Sequence, residues 1–133
     1  MIEIIKAYFG TLVVLMGLDG LWILVVAKKF YASKMGFLFT QPVNLVPIAF
    51  FYPLYALGIL FLAVMPAVSS TSWLEALWRG ALLGLVAYGA YDLTNQSTIA
   101  LWPTTMTVVD MLWGMTLTAL TSLAAYFIIT AFK

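Results

Sequence analysis

Apolar residues run through this chain in four long blocks, at about 4–27, 45–65, 74–93 and 103–132. Each block reaches the ~20 residues that a helix needs to cross the hydrocarbon layer. None shows the ten-residue alternation of an outer-membrane strand. Backbone groups in lipid must find partners within their own segment, so four helices are the economical reading. The pattern therefore predicts an all-α, four-transmembrane-helix bundle, a single integral membrane domain over 1–133.

The interruptions mark the ends of these elements. Lys28-Lys29 closes the first block, and its ammonium groups can snorkel to the headgroups. The loop that follows, 30–44, combines Lys34, Gly36 and Pro42 with Phe30, Tyr31, Phe37 and Phe39, a content suited to the membrane interface. Pro47 fits a first turn, whereas Pro53 is interior and predicts a distortion of the second helix. Ser72 with Glu75 three residues later reads as a capping box, and Pro103 suits the first turn of the last helix. Asn95-Gln-Ser97 fits a glycosylation pattern but lies too close to the membrane to carry meaning.

Composition narrows the chemistry. Hydrophobic residues make up 65% and charged residues 8%; in soluble domains about a quarter are charged, so this is an integral membrane protein. A net charge of +1 leaves no basic surface for nucleic acid. Without Cys there are no disulfides or thiolate sites, and without His no His-ligated haem or His-based triad. Acid–base work falls to Asp, Glu, Tyr or Lys, and no cofactor is called for. Residues 1–27 read as a retained helix rather than a cleaved signal. Lys6, Arg79 and Lys133 on one side balance Lys28, Lys29 and Lys34 on the other, so loop charge assigns no orientation.

Against that background three carboxylates stand out as catalytic candidates: Asp19, Asp92 and Asp110. An acid inside the bilayer costs roughly 2.5–3.5 kcal/mol on insertion scales, so its default reading is functional. Counting from the helix ends, Asp19 lies ~14 Å and Asp110 ~10 Å deep, with Asp92 close to its end. In an alternating bundle all three share one side, that of loops 1 and 3. Glu3 and Glu75 belong to the opposite interface as solvated helix ends.

Helical spacing says which faces meet. Gly80, Gly84, Tyr88 and Asp92 form one stripe, and Thr107, Asp110, Gly114, Thr118 and Thr121 another; Gly17 and Gly20 flank Asp19. Gly80-x-x-x-Gly84 is the small-residue pattern of close helix approach. Asp19-Gly-Leu-Trp22 and Asp110-Met-Leu-Trp113 each set a Trp beside an Asp, an arrangement that suits a cation; the alternative is an interfacial aromatic belt. The expected ligand-binding wall is Trp22, Tyr88, Tyr91, Asn95, Trp102 and Trp113. A structural hydrogen-bond network is the competing role for the Asp residues. Oxygen ligands can hold a hard divalent cation, but no paired Asp-rich motif occurs, and no metal is assigned.

Asp19-x-x-Trp22, Phe30-Tyr31, Pro42 and Asn44, Tyr91-Asp92-Leu93-Thr94-Asn95, Trp102-Pro103 and Asp110-x-x-Trp113-Gly114 together resemble an uncharacterised family of small bacterial four-helix membrane proteins. It is a domain-of-unknown-function family, and the likeness covers nearly the whole chain. Ser97 departs from it, since Ala is usual there. The resemblance implies a bacterial inner (plasma) membrane protein with four spans and carries no activity. From the pocket itself, whose depth is nearer an interface than the midplane, the leading expectation is binding or modification of an amphipathic lipid or isoprenoid, with an Asp as general acid or base. Transporters place their sites nearer the midplane. A small proton- or cation-coupled transporter acting as a homodimer is one alternative, and a non-catalytic accessory subunit the other. Beside Pro53, with Tyr52 and Tyr55 at its rim, a lateral opening is expected.

Overall fold

The computed structural model describes residues 2–36 and 44–131. Phe37, Phe39 and Pro42 of the expected interfacial loop, and Phe132 and Lys133, lie outside the described residues. Among the described residues the chain forms four helical rods. In the first, α1 (Ile2–Trp22) passes through a π-helical turn (Ile23–Ala27) into α2 (Lys28–Met35). In the second, α3 (Leu45–Ile59) passes through another π turn (Leu60–Val64) into α4 (Met65–Ser69). The third and fourth rods are α5 (Trp73–Thr98) and α6 (Thr104–Ala131).

Several boundaries differ from those read in the sequence. Lys28-Lys29 does not end the first helix, which continues to Met35 and takes Phe30 and Tyr31 out of the loop and into α2. The reason is local: lysine is a good helix former, and no Gly or Pro interrupts the chain before Gly36. The second rod opens as expected, the Asn44 side chain accepting from the Val46 N–H at 3.1 Å. Only half of the capping box forms. Ser72 Oγ accepts from the Glu75 N–H at 3.3 Å, but the Glu75 carboxylate takes Ser70 and Arg79 as partners, Arg79 at 2.6 Å. The Ser72 N–H goes instead to the Ala67 carbonyl. Between α5 and α6, Leu101 adopts a φ of 67° to reverse the chain, and Trp102 is tucked inside.

Three of the rods, Ile2–Met35, Leu45–Ser69 and Thr104–Ala131, are long and apolar enough to cross a membrane. At 26 residues α5 has the length, but Glu75, Arg79, Asp92, Asn95 and Gln96 dilute its apolar content. Large apolar side chains such as Phe9, Val13, Leu24, Phe50, Leu54 and Phe61 face outward, as a lipid-facing surface requires.

Among the described residues the α5–α6 seam is the most extensive. A Cβ on Gly84 would collide with the Gly114 backbone, and one on Gly80 would stand 2.7 Å from the Thr118 carbonyl oxygen. Gly114 in turn leaves room for the Tyr88 ring. This antiparallel register draws Asp92 toward Asp110. Gly17 and Gly20 behave otherwise: a Cβ on either would meet nothing within 4 Å, so they do not serve a close helix contact among the described residues. The second rod divides its allegiance. From Leu60 onward it packs on α5, while α3 packs on α1.

Candidate functional site

Polar groups from all four rods gather on the side of the bundle where α5 ends and α6 begins. Asp19 is buried, 8% exposed, and its two oxygens are both used. Tyr52 donates to Oδ2 at 2.5 Å and the Trp113 indole N–H to Oδ1 at 3.0 Å. Asp110, half-buried, accepts from the Tyr31 hydroxyl, which itself receives the Trp22 indole N–H at 3.3 Å. Asp92 is 0% exposed, and among the described residues neither of its oxygens receives an N–H or Tyr, Ser or Thr O–H; its hydrogen-bonding neighbour is the Asp110 carboxyl. Asp110 interacts electrostatically with both other acids and is the middle member of the row.

Tyr31 is the residue whose role the sequence pattern hid. It stands twelve positions after Asp19, which in a regular helix would put it about 120° round the axis. The π turn at Ile23–Ala27 takes up one extra residue and returns the face by about 100°. Tyr31 thereby rejoins the face of Asp19 and Trp22. Had the first helix been extended past Lys29, the aromatic residue would have been the signal to test.

Two cavities adjoin the row. The larger, about 320 Å³, lies between α3 and α5 and is lined by Phe51, Tyr55, Ala87, Tyr88 and Tyr91, with Asp110 contributing the carboxyl. The smaller, about 180 Å³, is walled by Tyr31, Tyr91 and Trp102, and has both Asp92 and Asp110 in its lining. Tyr91 and Asp110 belong to both. Tyr55 also bonds Thr118 on α6 at 2.7 Å, so it pins the floor of the larger cavity. Tyr52, expected at the rim, turns instead to Asp19.

Tyr88, Tyr91 and Trp102 line the cavities, and the Trp102 indole donates to Thr107 at 3.0 Å. Trp22 and Trp113 stack on each other, centroids 4.4 Å apart and planes 7° from parallel. Their inner faces are mutually covered, and both indoles line a separate shallow cavity with Val109, Leu112 and Thr116. Asn95 lines neither cavity. It is hydrogen-bonded to Tyr91, one turn before it on α5, and does not bridge the carboxyls. Among the described residues no three His, Cys, Asp or Glu side chains gather so as to hold a metal ion.

Residues 4–127 match the model of a family described as "Predicted membrane protein (DUF2177)", and the chain belongs to that family. No curated protein and no solved structure matches it.

Proposed function

We propose that this member of the DUF2177 membrane-protein family binds an amphipathic lipid or isoprenoid through the gap between α3 and α5, in a bacterial inner membrane. The observation that carries the reading is the cavity of about 320 Å³ with four aromatic side chains and one carboxyl in its lining. That volume is at the small end of ligand pockets, about 300–1,000 Å³, and suits part of a chain rather than a whole lipid. An apolar wall with a few convergent polar groups is the ordinary make-up of such a site. Phe51 and Tyr55 would flank the chain, and the polar end would reach Asp110. In a modification reaction Asp110 is the group to move a proton, since it has the Tyr31 hydroxyl as a hydrogen-bond partner and Asp92 beside it. Asp19, with both oxygens engaged, serves to tie α1, α3 and α6 together.

Lipid mass spectrometry on the purified protein tests this. The wild type should carry a defined amphipath, and Ala87→Trp, which fills the cavity, should lose about nine-tenths of it while remaining folded. Identical lipid complements in the two proteins would overturn the reading.

A further inference from the structure

We infer that the chamber between Asp92 and Asp110 is a binding site for a primary ammonium group, carried by an amino lipid or by a free amine. The starting point is Asp92, a residue with no exposed surface. Among the described residues its two oxygens receive no N–H or Tyr, Ser or Thr O–H donor, and their hydrogen-bonding neighbour is another acid, Asp110. Buried polar atoms are nearly always hydrogen-bonded, and a single proton shared between Asp92 and Asp110 leaves most of their acceptor capacity unmet, so the cavity of about 180 Å³ that both line calls for further donors. Asp110 adds a third acceptor, the oxygen that does not take the Tyr31 proton. An ammonium group has three N–H donors, one for each.

The walls favour the same class. Tyr31, Tyr91 and Trp102 surround the chamber, and among the described residues no Lys or Arg lines it to neutralise the acids. Aromatic faces beside carboxylates attract a cation through the ring quadrupole as well as by charge. A hard inorganic ion is served less well, because Mg²⁺ wants six oxygens and Ca²⁺ six to eight, and beyond the two carboxyls the lining offers only two phenols, thioether and indole. A quaternary ammonium has no N–H to give. Both acids lie six residues from a helix end, Asp92 before Thr98 and Asp110 after Thr104, or about 9 Å in depth. That is shallow enough for a headgroup. Since the chamber shares Tyr91 and Asp110 with the larger cavity, an amino lipid would put its nitrogen here and its chain between α3 and α5. Only this choice of carrier rests on the lipid reading above; the ammonium site does not.

The wild-type protein is reconstituted in nanodiscs of phosphatidylglycerol, alone or doped with phosphatidylethanolamine or phosphatidylcholine, and retained lipid is counted by native mass spectrometry. A fourth arm adds ethylammonium chloride to the phosphatidylglycerol discs and follows thermal melting against sodium chloride at equal ionic strength. Phosphatidylethanolamine should be retained about tenfold over phosphatidylcholine, the worth of one charge-assisted hydrogen-bond set. Ethylammonium should raise the melting temperature where sodium does not. Asp92→Asn should remove both effects, and Trp102→Phe should weaken both if the first variant folds poorly. Stabilisation by ethylammonium without a lipid preference supports the site and assigns it to a free amine. Equal retention of the lipids and no ethylammonium effect, with Ala87→Trp still displacing lipid, overturns the ammonium site and leaves the lipid reading standing. Equal stabilisation by sodium also overturns it. No retained lipid and no ethylammonium effect overturn both.

Discussion

The two seams that α5 makes are opposites. Against α6 it closes so far that Gly80, Gly84 and Gly114 have no room for a Cβ. Against the second rod it closes only from Leu60 onward, and beyond that point a cavity remains. Side-chain size accounts for the difference. The closed part of the second rod puts Ala63, Val64, Ala67 and Val68 inward, all buried. The open part carries Phe51, Tyr52 and Tyr55, with Pro53 among them. In lipid there is no hydrophobic drive between helices, so small residues that let backbones approach decide where a bundle shuts. Bulky aromatics decide where it stays open, and hydrogen bonds to Asp19 and Thr118 keep that half attached.

The contrast breaks most severely at Gly84. Gly84→Val must push α5 off α6, because a Cβ there has the Gly114 carbonyl and, at 2.7 Å, Thr118 Oγ1 in its way. Overpacking costs typically 1–3 kcal/mol, and this site belongs at about 3 or above. Equilibrium unfolding in mixed micelles should show the loss; a wild-type curve would mean that the seam is not the rigid spine of the fold.

A middling effect is expected from Tyr52→Phe. It leaves Asp19 with one donor in place of two, for about 1–3 kcal/mol. The change should loosen α3 alone. Because the chain has no Cys, Phe51→Cys introduced alone or together with Tyr52→Phe reports this cleanly. Thiol labelling at position 51 should quicken in the double variant, with the α5–α6 amides still protected from exchange. Unchanged labelling would remove Tyr52 as the tether.

The smallest effect belongs to Gly17→Ala. Open space surrounds this position, so no clash follows, and the helix gains about 0.5–1 kcal/mol from a less flexible backbone. A loss comparable to that at Gly84 would reveal that a surface left open in the monomer is covered in the membrane.

Much of this architecture follows from the linear pattern. Long apolar blocks dictate helices wherever backbone groups must be satisfied internally, and i, i+4 glycines announce the α5–α6 seam. The three candidate acids were legible for the same reason, since each interrupts an apolar block. What the pattern left open depended on phase and on partners far along the chain. Two π turns, which no residue type signals, rotate the ends of their rods, and one of them delivers Tyr31 to Asp110, 79 positions away. Spacing brought Trp22 and Trp113 near Asp19 and Asp110, but only packing stacked the indoles on each other. Asn95 lies on nearly the same face of α5 as Asp92, yet it bonds Tyr91 one turn before it and lines neither cavity, a choice of partner that spacing does not determine. Sequence thus set the helices and their polar content, while the tertiary structure decided which acid is satisfied, which faces another acid and where the bundle stays open.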